Sequence, residues 1–278
     1  MRKILSSVSV VLLFVFTSVA WTSIPTQIEA APESIVEKKF ERIDLPEVSP
    51  ARAHELNKKS KSLNAKPVQN LSKEQLEMLE KLGPGTSVSS YGKIFTKEEQ
   101  DRYLKKHKPE LESIPRANEF KESESLKKRV QVQATDNRKR INPTTYFPYN
   151  AVANLEIRAQ DGSWYACSGW YMDKNTVVTA AHCVYDNYDK EWSDFAFVTP
   201  ARNGGTGEPY GWTYATDFHV TGEWINAKPS KKGYLNYGDV KHDYAVINVV
   251  DNHSKWFSIR YSNHKNGESV NSTGYPGD

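Results

Sequence analysis

The distribution of apolar positions divides the chain into three parts. Residues 4–20 form a mostly apolar run that directly follows Arg2 and Lys3. Between residues 32 and 129 apolar positions are sparse and scattered among charges, whereas from residue 130 onward they return in short runs rich in β-branched and aromatic side chains. This pattern predicts a leader, a weakly hydrophobic middle segment and a folded unit.

The folded unit has the pattern of β-strands. Ala153, Leu155 and Ile157 alternate with polar residues, and the dipeptide Asp161-Gly162 favours a tight hairpin turn after them. No sustained helical period interrupts this pattern. The predicted strands span residues 153–158, 164–172, 177–181 and 244–250. The sequence therefore predicts an all-β fold for this part.

The middle segment predicts short helices joined by polar linkers. Ser72 to Gln75 and Thr96 to Glu99 each have the spacing of a capping box, and Gly83-Pro84 predicts the end of the first helix. Because so few apolar residues cannot bury a large core, we expect the segment to fold against a partner surface or to stay partly disordered. It has the character of a propeptide, and a solvated spacer or interaction arm is the alternative.

Charge and aromatic content place the domain boundary near residue 130. Residues 32–129 contain 21 Lys+Arg and 17 Asp+Glu, while 13 of the 15 tyrosines and 6 of the 7 tryptophans follow residue 130. Large aromatic side chains supply the buried surface that a core needs. The run Lys127-Lys128-Arg129 at this boundary is a favourable target for proteolysis. We predict a leader at 1–30, a propeptide at 31–129 and a folded domain at 130–278.

The leader has the features of a secretory signal peptide. Two basic residues precede the apolar run, and small residues offer cleavage after Ala20, Ala30 or Ala31. A retained N-terminal anchor is the alternative. We therefore expect a secreted, extracellular protein that has no membrane contact after cleavage. The net charge of +3 is too small to indicate binding to nucleic acid.

The two cysteines are expected to form a disulfide. Cys167 and Cys183 lie 16 residues apart, on the second predicted strand and just after the third. An exported chain meets an oxidising environment, in which such a pair closes readily. Two free thiols or a metal-binding pair are the alternatives, and they would need further ligands nearby.

His182 and Asp243 are the candidate catalytic residues. His182 follows an apolar strand and immediately precedes Cys183, whereas Asp243 starts the most apolar strand of the chain. A general base needs a fixed strand end and a carboxylate that holds its ring in one tautomer. Asp243 can be that carboxylate. A purely structural role for His182 is the alternative.

These residues give the chain from about Val132 to Asp278 a resemblance to the secreted chymotrypsin-like glutamyl endopeptidases of Gram-positive bacteria. The motifs that carry the resemblance are Thr179-Ala180-Ala181-His182-Cys183, Cys167-Ser168-Gly169, Asp243-Tyr244-Ala245-Val246-Ile247 and Thr273-Gly274-Tyr275-Pro276-Gly277-Asp278. The resemblance implies that His182 is the general base, that Asp243 orients it and that Cys167 and Cys183 form the disulfide. It also implies a trypsin/chymotrypsin-like, two-barrel fold and a serine endopeptidase that cleaves after glutamate or aspartate.

The nucleophile that the family requires does not occur in this sequence. The family places its serine in a Gly-X-Ser-Gly turn, and residues 1–278 contain no such motif. Four serines near the end of the chain lie in no comparable turn: Ser258, Ser262, Ser269 and Ser272. We therefore expect residues 130–278 to form the first barrel and the start of the second. By themselves they should be inactive, with an exposed apolar inter-barrel face.

Two other functions remain open at this point. A catalytically inactive remnant could act as a secreted binding module, and a metal-dependent hydrolase could use His182, His242 and Asp243. The metal-dependent hydrolase is weakly supported, because His242 and Asp243 are adjacent and neighbouring residues in an extended strand point to opposite faces. For the leading interpretation the expected partners are polypeptide substrates and the chain's own propeptide, with a monomeric state and no cofactor.

Overall fold

The computed structural model describes residues 40–43, 45–63, 65–82, 84–112, 138–205, 207–259 and 271–276. The predicted signal peptide and the run Lys127-Lys128-Arg129 lie outside these residues, as do Ser262 and Ser269. No helix in the described ranges is long and apolar enough to cross a membrane.

The described chain contains short helices in its first part and mostly strands in its second. The helices are α1 (Pro50–Ser60), α2 (Lys73–Lys81), α3 (Lys97–Glu112) and α4 (Gly222–Asn226). The strands are β1 (Phe40–Arg42), β2 (Ser87–Ser89), β3 (Ile94–Phe95), β4 (Val152–Arg158), β5 (Trp164–Asp173), β6 (Thr176–Thr179), β7 (Tyr185–Asp186), β8 (Glu191–Trp192), β9 (Phe195–Pro200), β10 (Thr213–Thr221), β11 (Tyr234–Asn236) and β12 (Ala245–Val249).

Six antiparallel strands close into a barrel. Their order is β12-β6-β5-β4-β9-β10, and a further pairing of β10 with β12 joins the two ends of the sheet. All neighbouring strands in this barrel run antiparallel. The closed barrel confirms the all-β fold that the sequence predicts. Closure also removes the free edges that make open sheets prone to aggregation.

The hairpin between β4 and β5 forms where the sequence predicts it. Gly162 has a φ of 86°, a conformation that side chains with a Cβ rarely adopt, and Asp161 accepts a hydrogen bond from the amide of Ser163. The turn fixes a register in which Val152 lies opposite Trp170 and Arg158 lies opposite Trp164.

The core lies inside the barrel and consists of large apolar residues from most of its strands. Fully buried members include Leu155, Ile157, Tyr171, Val177, Val198, Phe218 and Ile247. Strand β4 nevertheless differs from a simple strand with one solvent face. Glu156, which should face outward by alternation, is 3% exposed because helix α1 covers it and two arginines pair with it.

The leading segment packs against the barrel, which is the first of the two states expected for it. Leu56 of α1 is fully buried against Trp164, Phe195 and Phe197 on the outer face of the sheet. Strand β2 pairs with the end of β10 that β9 leaves unpaired, and β1 pairs with β11. These contacts supply the apolar surface that the segment itself lacks.

Both predicted capping boxes in the leading segment are present. Ser72 and Gln75 exchange reciprocal hydrogen bonds at the start of α2, and Thr96 and Glu99 do the same at the start of α3. Helix α2 ends at Lys81, directly before the predicted stop.

An apolar groove lies on the outside of the barrel. Its walls are apolar, whereas the surface of the leading segment is charged. The volume of the groove is about 600 Å³, and its walls include Val152, Trp170, Val178, Val246 and Phe257. Val152 and Val246 are buried, and Trp170, Val178 and Phe257 are partly exposed.

Candidate active site

His182 and Asp243 meet because two neighbouring strands end at the same edge of the barrel. Strand β6 stops at Thr179, two residues earlier than predicted, and the chain turns into a 3-10 helix at Ala181–Cys183. Strand β12 pairs with β6 so that Ala245 lies opposite Thr179. Residues just after β6 and just before β12 are therefore neighbours in space.

Asp243 holds His182 through two hydrogen bonds. One carboxylate oxygen lies 2.6 Å from the ring Nδ1 of His182, and the other accepts the backbone N–H of the same residue at 2.9 Å. The imidazole is 25% exposed and the carboxylate 12% exposed. A proton on Nδ1 faces the carboxylate, so Nε2 carries the lone pair.

Nε2 of His182 has no hydrogen-bond partner among the described residues. Among the serines discussed above, Ser258 and Ser272 line the apolar groove instead. The arrangement therefore provides an oriented base whose free ring nitrogen can accept a proton, as general-base chemistry requires.

A disulfide between Cys167 and Cys183 supports the turn that carries His182. The bond joins β5 to the 3-10 helix immediately beside the histidine. The buried hydroxyl of Tyr165 donates to the carbonyl of Cys183 at 2.9 Å, and burial raises the pKa of that hydroxyl so that it stays protonated. No local sequence pattern indicated this supporting role for Tyr165.

Replacing both cysteines by alanine is expected to lower the free energy of unfolding by about 3 kcal/mol, since closing a loop of this length restricts the unfolded chain. Urea denaturation of the full chain measures the change. Added reductant is the control: it should destabilise the wild-type protein and leave the double variant unchanged. Equal unfolding midpoints for oxidised and reduced wild type would contradict this expectation.

The glycine-tyrosine stretch near the end of the described chain also packs beside the site. The amide of Tyr275 donates to the hydroxyl of Ser168 at 2.7 Å, and a Cβ on Gly274 would lie 2.7 Å from the same oxygen. Burial raises the pKa of Tyr275 to about 12. Two of the motifs that carried the family resemblance are thus in direct contact.

The proposed metal ligands do not assemble into a site. Within the described residues, three potential ligand atoms come together only at Cys167, His182 and Cys183. Two of those atoms are the bonded sulfurs of the disulfide, which are poor ligands because metals bind the thiolate. His242 is the last residue of the 3-10 helix Tyr237–His242 and does not join this group.

A cleft of about 390 Å³ lies beside His182. One wall comes from Ile43, Leu45 and Glu47 of the leading segment, and another from Trp164 and Tyr165 of β5. The candidate site is therefore bounded partly by residues that precede the predicted domain boundary.

Comparison with known families and proteins gives consistent matches. Residues 140–274 match the family model Trypsin. The chain is 34% identical over 211 residues to the Extracellular metalloprotease of Bacillus subtilis, a match that covers 70% of this chain and 63% of that protein. It is also 34% identical over 151 residues to the Glutamyl endopeptidase of Bacillus licheniformis, with coverage of 53% and 42%.

Solved structures match over similar lengths. The structure of a Glu endopeptidase in complex with MPD aligns at 27% identity with a TM-score of 0.36, covering 44% of this chain and 49% of that one. Protease Anisep from Arthrobacter nicotinovorans aligns at 22% identity with a TM-score of 0.30, covering 43% and 44%. The chain spans less than two thirds of each of these four proteins.

Proposed function

We propose that this chain, which resembles the glutamyl endopeptidases and has a trypsin-like domain, is the precursor of a secreted serine endopeptidase. The single observation that carries the proposal is the His182–Asp243 pair at the rim of the barrel, with Nδ1 bound to the carboxylate and Nε2 available. The coarser assignment, a trypsin-like serine protease related to glutamyl endopeptidase, follows from the family match and the relatives.

In the proposed reaction His182 takes the proton of a serine hydroxyl through Nε2 as the oxygen attacks the scissile carbonyl. The proton is then delivered to the leaving amine. Asp243 keeps the proton of Nδ1 in place and stabilises the imidazolium that forms between these steps. The backbone hydrogen bond from His182 to Asp243 restrains the carboxylate beside the ring.

The serine and its oxyanion hole are assigned to residues beyond Asp278 of the protease. The apolar groove supports this assignment because it offers a surface on which a second barrel can pack. Cleavage after glutamate, or after aspartate, is proposed from the resemblance and from the name of the B. licheniformis relative. Residues 1–278 alone are then expected to be inactive, and a binding role is the alternative for a chain of that length.

Metal-dependent hydrolysis has less support, although one relative is named a metalloprotease. The described group of three potential ligands around His182 includes the two sulfurs of a disulfide, and the pair with Asp243 already occupies Nδ1. Chelators should therefore leave peptide hydrolysis unchanged.

The proposal is tested by isolating the protein from the culture medium of its source and labelling it with a fluorophosphonate probe, which reacts only with an activated serine. We expect one labelled serine outside residues 1–278, and cleavage of a peptide library after glutamate. Reading the coding DNA beyond codon 278 should show a Gly-X-Ser-Gly turn in frame. An unlabelled protein, or hydrolysis abolished by a chelator, would overturn the assignment.

A further inference from the structure

One edge of β5 is paired with the leading segment beside the candidate site. On this side β6 begins its pairing only at Trp170, so residues 164–166 have no barrel strand next to them. The amide of Val48 donates to the carbonyl of Trp164 at 2.9 Å, and the amide of Ala166 donates to the carbonyl of Pro46 at 2.8 Å. An incoming extended peptide would use the same backbone groups.

This edge leads directly to His182. Strand β5 continues from Ala166 to Cys167, whose disulfide reaches Cys183 next to the histidine. Ile43 and Leu45, which precede the paired residues, line the same cleft as His182. The leading segment therefore occupies the strand position from which a polypeptide could approach the base.

Helix α1 binds the leading segment to the barrel a few residues after Val48. Arg52 makes two hydrogen bonds of 2.8 Å to the carboxylate of Glu156 on β4. Asn57 accepts a hydrogen bond from the indole N–H of Trp164, and Leu56 is fully buried. Buried charge pairs of this kind lengthen the lifetime of a complex because breaking them leaves a charge unpaired.

Further contacts extend along the segment. Strand β2 continues the barrel sheet by pairing with β10, and the side-chain oxygen of Asn70 accepts the amide of Trp192. Asn226 donates to the carbonyl of Leu79 at the end of α2. All of these contacts are made by residues up to 112, so none depends on the connection through residues 113–137.

We propose that residues 40–112 form an inhibitory subunit that stays bound to the barrel, with Pro46–Val48 on the edge of β5, after the chain between residues 112 and 138 has been cut. The barrel surface that receives it consists of this edge and the aromatic face around Glu156. The inference rests on the proposed peptidase function, because the segment would occupy the strand position beside the site that a polypeptide substrate would use. Opening the site then takes a second event that removes the strand around Pro46.

The test uses the full chain with the recognition sequence of a site-specific protease in place of Lys127-Lys128-Arg129. After complete cleavage, native mass spectrometry and size-exclusion chromatography at micromolar concentration should show both fragments in one complex. Amide hydrogen exchange at Ala166 should stay as slow as in the uncut chain. Separation of the fragments, or fast exchange at Ala166 within an intact complex, would overturn the proposal.

Arg52→Ala gives the sharper measurement, with Arg102→Ala as the matched control. Arg102 is exposed on α3, and its one hydrogen bond among the described residues goes to the carbonyl of Glu98, one turn before it. We expect Arg52→Ala to weaken the cleaved complex at least about 30-fold and Arg102→Ala to leave it unchanged. Equal affinities for the two variants would show that the contact with Glu156 does not hold the segment.

None of these readouts involves peptide hydrolysis. Failure of the proposed function would appear as an absence of fluorophosphonate labelling while the fragments stay together. Failure of the present inference would appear as separated fragments from a protein that labels normally.

Discussion

Replacing Asp243 by asparagine is expected to lower kcat of the complete protease about 10⁴-fold with little change in KM. The carboxylate lies 2.6 Å from Nδ1 of His182, and in the proposed reaction it would stabilise the positive ring that forms during acyl transfer. An amide in its place presents either an oxygen without charge or an N–H that favours the opposite tautomer. In that tautomer Nε2 carries the proton and cannot act as a base.

Steady-state hydrolysis of a peptide with glutamate before the scissile bond measures the effect, and Asp239→Asn is the matched control. Asp239 lies in the 3-10 helix Tyr237–His242, which directly precedes Asp243; it accepts a hydrogen bond from Asn236 and has none to His182 among the described contacts. Nitrogen-15 shifts of the His182 ring report the tautomer in the 278-residue chain itself. A variant that keeps a tenth of the activity, or an unchanged tautomer, would count against the assigned roles.

Replacing Glu156 by glutamine should lower the free energy of unfolding by about 3–5 kcal/mol. Its carboxylate is bound by Arg52 at 2.8 Å and by Arg202 at 2.7 Å, and both guanidinium groups are largely buried. The neutral amide removes the carboxylate that pairs with Arg202 and leaves Arg52 paired only with Glu55 and Glu208 among the described residues. Urea denaturation measures the loss, and Glu191→Gln, at an exposed position on β8, should change stability by no more than about 0.5 kcal/mol.

The pH dependence of stability provides a second test of the ion pairs of Glu156. Burial by itself would raise the pKa of Glu156, but hydrogen bonds and charges from Arg52 and Arg202 outweigh burial and leave the pKa lowered. The stabilisation is therefore fully present above the pKa of an unfolded glutamate, about 4.3, and is lost as pH falls through the lower folded value. Glu156→Gln should flatten this acid limb; an unchanged slope would contradict the pairing.

Local sequence signals predicted the elements that depend on near neighbours. The hairpin at Asp161-Gly162, both capping boxes and the strand before His182 rest on residues a few positions apart, and the structure contains all of them. The proximity of His182 and Asp243 needed more than local pattern. It was inferred from the family resemblance and the strand that each residue adjoins, and the pairing of β6 with β12 brings them together.

The docking of the leading segment could not be predicted in detail. Glu156 looks like an ordinary outward-facing residue of an alternating strand, because the arginine that covers it is 104 positions away. Tyr165 likewise gains its role from the distant carbonyl of Cys183. Such contacts depend on how whole elements pack, and a single sequence records neither the partner nor the register.

The pairing of β2 with β10 has a consequence for the order of events during synthesis and export. Val88 lies opposite Val220, so the leading segment cannot complete its strand until more than 130 further residues are available. Contacts of such long range form slowly. In a chain threaded N-terminus first through a narrow translocation channel, β2 would therefore stay unpaired until β10 has emerged on the far side.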